Sequence, residues 1–279
     1  MTFNIDHVTL AANNLDMLVG EFVAAGMTPN YGGVHSSGLT HMSLLGFTDG
    51  SYIELISTTT SEVKGARWGQ HITTNAGPCA WAVQVSDIAA KAARLVDKGV
   101  PVDGPVFVQR QRPDGVQAEW DLAFVGSEGP GALHPFLIED RTPKSYRVQV
   151  SESLVDGPLI GVAMVIIAVA NLEATIDVFR EVYGLEAPVC VSCSTISETL
   201  WVFPGEPLAL VGSTSEDTWV ARRIQRFGPS PCAYLLRATD LVEAQRRYGF
   251  VQPGNLGQAK AFWLKSPLLR LGVCEADVF

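Results

Sequence analysis

Histidines and carboxylates are the side chains with most chemistry to offer here, and the histidines are unevenly spread. All five, His7, His35, His41, His71 and His134, fall before residue 135 of 279. His7 sits inside Asn4-Ile5-Asp6-His7-Val8-Thr9-Leu10, a strand-like stretch that runs into the helix opening Asn13-Asn14-Leu15-Asp16. An imidazole near a carboxylate can move protons near neutral pH or help hold a divalent ion. A lone histidine on an inward strand face is ordinarily a hydrogen-bonded core or pocket residue. An ion wants at least three donors, such as two histidines and a carboxylate. Arg112 lies in the turn Arg112-Pro113-Asp114-Gly115. Its planar fork suits an oxyanion clamp, and a solvated turn residue is the other reading. Trp68 and Trp120 can wall an aromatic pocket or pack in a core.

The cysteines offer less. Cys190-Val191-Ser192-Cys193 is a lone C-x-x-C. A zinc site wants a second pair or nearby histidines, and a redox pair normally opens a helix. The surroundings read as a strand, so reduced cysteines in or near a strand are expected.

These residues are positioned by a repeated unit. Alternation over Phe3 to Ala11 puts Val8 and Leu10 on one face and His7, Thr9 and Ala11 on the other. Asn13 or Asn14 caps a helix whose stripe is Leu15, Leu18, Phe22 and Val23, and Gly26 ends it. Residues 30 to 40 read as loop with a short strand, then come strands at Thr40 to Phe47 and Ser51 to Ser57. Residues 58 to 77 read as a long connection. The pattern recurs from Cys79, with Ser86 as cap; from Ile160, with a helix opening at Asn171; and from Cys232, with Asp240-Leu241 opening a helix. The histidine is missing from each later copy. The reading is α+β: four βαβββ units, at residues 1–60, 78–140, 158–213 and 230–276, paired into two domains of curved mixed sheet with helices outside. The domains span residues 1–140 and 158–279, and residues 141–157 read as a linker.

With Asp6-His7-Val8, the Asp49-Gly50-Ser51-Tyr52-Ile53-Glu54-Leu55-Ile56 strand, the helix from Asn171 to Arg180 and His134-Pro135-Phe136-Leu137-Ile138 in view, the chain resembles the vicinal oxygen chelate superfamily. This is the glyoxalase, extradiol dioxygenase and bleomycin-resistance fold. The first 140 residues are most similar to its glyoxalase-like subgroup. In that superfamily, metal ligands come from the first and last strands of paired units. On that correspondence His7 matches Ala80, Met164 and Ala233, and Glu54 matches about Phe136, Ala209 and Arg270. Only the first unit carries both ligand types.

The resemblance implies a divalent metal (Zn, Ni, Mn or Fe) at His7 and Glu54, completed by His134 or by His41. It implies an enzyme acting on a small oxygen-rich substrate chelated through two oxygens, of lyase, isomerase, hydrolase or dioxygenase type. Glu54, His134 and His41 are then the catalytic candidates, and Arg112, Trp68, Trp120 and Phe136 face the substrate. Glyoxalase I chemistry is disfavoured by its two apolar ligand positions. Extradiol cleavage is disfavoured because Met164, Ala233 and Arg270 stand where its iron would sit. The alternative is a metal-free protein that sequesters a small, partly aromatic molecule. The second half is expected to be structural or to make a homodimer.

The net charge of -9 disfavours nucleic acid as a partner. Arg222, Arg223 and Arg226, and the pair Arg246-Arg247, read as solvated faces. No signal peptide is legible, and the most apolar run, Leu159 to Ala170, is too short to span a bilayer. A cytoplasmic protein with no membrane contact is expected.

Overall fold

Period-two alternation builds the first sheet. In β1 (Ile5–Ala11), Val8 and Leu10 turn toward α1 (Leu15–Ala24) and pack with Leu18 and Phe22. Asn14 caps α1 by accepting from the Met17 amide at 2.8 Å. Then come β2 (Asn30–Val34), β3 (Thr40–Gly46) and β4 (Tyr52–Thr58). A short helix, α2 (Gly69–Thr73), leads into β5 (Gly77–Gln84), α3 (Ile88–Asp97), β6 (Val102–Gln111), β7 (Gln117–Val125) and β8 (Phe136–Asp140). The cap of α3 is Asp87, one residue after the expected Ser86; its carboxylate accepts from the Ala90 amide. The computed structural model describes residues 2–60 and 66–275.

The eight strands form one sheet in the order β2-β3-β4-β1-β5-β8-β7-β6. β1 and β4 are parallel, as are β5 and β8, and the two units meet along the antiparallel β1–β5 seam. The end strands β2 and β6 do not pair with each other, so the sheet curves into an open half-barrel.

The second half repeats the order: β9 (Leu159–Ala168), α5 (Leu172–Tyr183), β10 (Val189–Cys193), β11 (Glu198–Val202), β12 (Leu208–Val211), α6 (Trp219–Phe227), β13 (Ser230–Ala238), α7 (Leu241–Arg247), β14 (Phe250–Leu256), β15 (Ala259–Leu264) and β16 (Leu271–Glu275). Here β10 meets β14 at Cys193 and Leu256, which closes the barrel. Its interior is filled by Met164, Ile166, Leu200, Leu235 and Trp263. The strand registers confirm the expected correspondence at three of four places. Thr9 pairs with Glu54, Ala82 with Phe136 and Ile166 with Ala209. In the fourth unit Leu235 pairs with Gly272. Arg270 lies two residues earlier, in the turn before β16, and stacks on Trp219.

The halves share one core, in which Phe3 and Trp81 meet Phe179 and Tyr183. Two polar ties cross the same boundary. The Tyr234 hydroxyl lies 3.0 Å from the Thr9 carbonyl and 2.8 Å from that of Ala80. Arg223, expected on a solvated face, is buried. Helical spacing puts it on the same side as Val220 and Phe227, and its guanidinium donates to the carbonyls of Ala76, Pro78 and Pro231. Residues 141–157 are also more than a spacer. They contain α4 (Lys144–Arg147) and a 3-10 turn at Glu152–Leu154. The Ser151 amide donates to the Gly46 carbonyl at 3.0 Å. No described helix is long and apolar enough to cross a membrane.

Tyr234→Phe removes a buried donor without opening a cavity. It should cost about 1–2 kcal/mol of stability in urea unfolding. An unchanged midpoint would show that this tie carries nothing between the halves.

Candidate functional site

The concave face of the half-barrel holds a cavity of about 310 Å³. Alternation selects its lining: His7 from β1, Met42 and Leu44 from β3, Tyr52 and Glu54 from β4, Val108 and Arg110 from β6, and Trp120, Leu122 and Phe124 from β7. Phe136 and Ile138 of β8 complete the far wall, and Trp68 closes over it beside Phe136. Most of this surface is apolar, and the polar groups gather at the β1–β4 end.

That polar end is built on a bulge. The β1–β5 register steps from Ile5–Val83 to His7–Ala82, leaving Asp6 as an extra residue in β1. Asp6 Oδ1 then lies 2.7 Å from His7 Nδ1. A carboxylate only accepts, so Nδ1 carries the proton and His7 Nε2 faces the cavity. The imidazole is held flat against Tyr52, with ring centroids 4.6 Å apart.

Glu54 sits between two imidazoles. Its Oε2 is 3.7 Å from His7 Nε2, and its Oε1 is 3.0 Å from His35 Nε2. Thr9 also donates to Oε2, at 3.3 Å. Burial pushes the Glu54 carboxyl up, but the His35 hydrogen bond and the positive groups around it prevail and hold it at about 2. Ionised Glu54 is acceptor-only, so His35 Nε2 is the donor. His35 Nδ1 pairs with the Thr40 hydroxyl at 2.8 Å.

The charge on Asp6 is supported from outside the sheet. Arg147 of α4 donates to both Asp6 oxygens, at 2.8 and 2.7 Å, and to both Asp140 oxygens. It also donates to the Tyr52 hydroxyl at 2.8 Å. Lys144 adds a contact to Asp6 at 3.0 Å. Burial opposes charge on Asp6, yet Arg147 and His7 keep its carboxyl well below the usual range. Burial and Asp6 push the Tyr52 phenol up, so it stays protonated.

The expected site residues divide. His7, Glu54, Trp68, Trp120 and Phe136 all line the cavity. His134 does not. The chain ahead of β8 is a turn, so strand alternation does not extend back to it, and its Nδ1 pairs with the Tyr183 hydroxyl at 2.9 Å in the boundary between the halves. His41 is on the opposite sheet face from Thr40 and Met42, beside Tyr31 and near Asp16 of α1. Arg112 stays in its turn, bonded to Asp114, Gln149 and the Ser145 carbonyl. His71 stacks on Phe227, away from the cavity. His35 takes the place foreseen for His134: it folds over the cleft from the loop after β2. Arg110 and Arg147 had no sequence signal beyond their charge. Arg110 shares its strand face with Val108.

The donor types suit a divalent ion: two imidazoles and a carboxylate, with one imidazole oriented by a further carboxylate. As they stand, His35 Nε2 is committed to Glu54, and no described group of three or more His, Cys, Asp or Glu is set as a cage for an ion. In kind the donors match such an ion; gathering them around it would require His35 Nε2 to give up its bond to Glu54.

Residues 5–183 match the model of the Glyoxalase-like domain family. The match takes in well over half of the chain, and the chain belongs to that family. Its fold is that of the vicinal oxygen chelate superfamily. A hypothetical protein from Staphylococcus aureus superposes with a TM-score of 0.66 at 14% identity, covering 98% of this chain and 99% of that one. A 4-hydroxymandelate synthase variant from Streptomyces coelicolor gives 0.62 at 10%, covering 98% and 92%. The Mn(II)-bound glyoxalase from Novosphingobium aromaticivorans gives 0.59 at 11%, covering 99% and 82%. At these identities the likeness is one of fold. No curated protein matches the chain in sequence.

The state of Glu54 makes a pH prediction. Its carboxyl is held at about 2 in the folded protein against an ordinary value of 4.5. As pH falls, the unfolded chain therefore takes up this proton first. The stabilisation is complete above the ordinary value and is lost as pH drops toward 2, an effect of about 3 kcal/mol. Asp6 acts in the same direction. In urea titrations between neutral pH and pH 3, Glu54→Gln should show a shallower loss of stability than the native chain. Parallel curves would contradict the placement of Glu54 as an ionised, buried acceptor.

Proposed function

We propose that the chain is a divalent-metal-dependent enzyme acting on a small, oxygen-bearing molecule in the half-barrel cavity. One observation carries the reading: each oxygen of buried Glu54 faces the Nε2 of a different histidine, at the polar end of an otherwise apolar cavity. His7, His35 and Glu54 would hold the ion. It would supply Lewis-acid stabilisation of an oxyanion formed on the substrate.

The chain's own groups do the rest. Asp6 fixes the ring orientation of His7, so Nε2 points into the cavity. Thr40 and Thr9 orient His35 and Glu54. Phe136 packs beside His7, with Trp68 next to it, and the apolar wall they form would strengthen charge interactions at the polar end. The arrangement suits chemistry that builds negative charge on oxygen; lyase, isomerase, hydrolase and oxygenase reactions all share that demand.

A second reading is a metal-free protein that sequesters a small, partly aromatic molecule. The direct His35–Glu54 bond favours it, because it satisfies both groups without an ion.

Calorimetric titration of the chelator-treated protein with Zn, Ni, Mn and Fe separates the two. The enzyme reading expects one equivalent bound, lost in His7→Ala and His35→Ala. It also expects affinity weakened about 10- to 100-fold in Asp6→Asn, through the orientation of His7. No uptake, or uptake indifferent to His7→Ala, would leave the sequestering protein. That protein should hold its ligand equally well with and without EDTA.

A further inference from the structure

We propose that Arg110 is an anion anchor, and that the cavity takes a small aromatic or branched apolar molecule bearing one carboxylate. The proposal rests on the reading of this cavity as the functional site, though not on the ion.

The positive side chains at the cavity differ in what they already hold. Arg147 is spent on Asp6, Asp140 and Tyr52. Lys144 is spent on Asp6 and Gln84. Arg67 lies over the Phe124 ring at 3.7 Å. Arg110 makes one hydrogen bond, from Nη2 to the Arg147 carbonyl, and forms no ion pair among the described residues. Its Nε–H is buried without a partner. A guanidinium partly desolvated in this way has donors to spare, and burial lowers its proton affinity.

The surroundings narrow the occupant. The acidic groups nearby are engaged: Asp6 and Asp140 by Arg147, and Glu54 by His35. Glu54 acts on Arg110 electrostatically but forms no ion pair or hydrogen bond with it, so the fork, whose planar geometry matches a carboxylate held by two parallel hydrogen bonds, stays open. Val108 shares its strand face, and Trp120, paired with Val108 on β7, is the aromatic nearest to it by register; Leu122, Phe124 and Phe136 carry the apolar wall further along the cavity. A body held between Arg110 and that wall meets mainly aromatic and branched side chains. A dianion such as a phosphate ester would meet ionised Glu54 with more charge than one arginine offsets. The volume sits at the low end of the usual range for small-molecule sites. Ligands of roughly one ring and a short acidic arm are the size class.

Trp68 and Trp120 in the cavity provide the readout. The full-length, chelator-treated protein is titrated at neutral pH, by tryptophan fluorescence and calorimetry, with benzoate, phenylacetate and 3-phenylpropionate, and with their neutral amides. At least one acid should bind more tightly than its amide, by about 10- to 100-fold, the value of a charge-assisted hydrogen-bonded pair. Arg110→Gln should abolish that preference, and Arg110→Lys should keep part of it. Amides equal to acids throughout, no binding by any acid, or a preference surviving in folded Arg110→Gln would each overturn the proposal. If Arg110→Gln does not fold, Arg110→Lys decides: an acid preference unchanged in that variant overturns the proposal, and a reduced one supports it. Metal titration of the same preparation keeps the two readings apart. An acid preference without metal uptake sinks the metal enzyme only, and metal uptake without an acid preference sinks the anchor only.

Discussion

The carboxylate of Asp6 is fully removed from water yet ionised, and the polar end of the cavity depends on how that charge is supported. Removing an unpaired carboxylate from water costs several kcal/mol. Here the charge is shared among Arg147, Lys144 and His7, which come from two separate stretches of chain. Arg147 in turn reaches Asp140 at the end of β8 and Tyr52 on β4. The pair therefore does more than fix one ring. It holds β1, β4, β8 and α4 in a single arrangement, and the direction of His7 Nε2 follows from it.

The same βαβββ unit yields two different objects in one chain. In the second half the inward positions carry Met164, Ile166, Leu235 and Trp263, large enough to fill the interior once β10 and β14 meet. In the first half the positions of Ile166 and Leu235 hold Thr9 and Ala82, and the outer strands stay apart. Edge pairing, present between β10 and β14 and absent between β2 and β6, separates the closed barrel from the open one. Core packing between Phe3, Trp81, Phe179 and Tyr183 then couples the rigid half to the open one.

Much of this was legible in the sequence, for definite reasons. Strand alternation correctly put His7 on the face opposite Val8 and Leu10, which pack toward the helix. The capping asparagines and Asp240 marked helix starts. Failures came where periodicity stops. His134 precedes the first residue of β8, so its inferred face had no strand to define it. His35 lies in a glycine- and serine-rich loop whose path is set by Thr40 and Glu54 rather than by local pattern. Arg147 sits in polar sequence that reads as a spacer, and nothing local says its charge is wanted by Asp6, 141 positions earlier. Arg223 was hidden by its company: three arginines in five residues resemble a wetted surface, although the helix that carries them has one inward side.

The connecting segment also gives the molecule a direction in time. The strands of the half-barrel end at Asp140, and a ribosome delivers them before it delivers Arg147. Those last residues carry the cations that support the charge on Asp6. A chain ending at the last strand of the half-barrel would hold every strand of the pocket without the charge that sets its polar end.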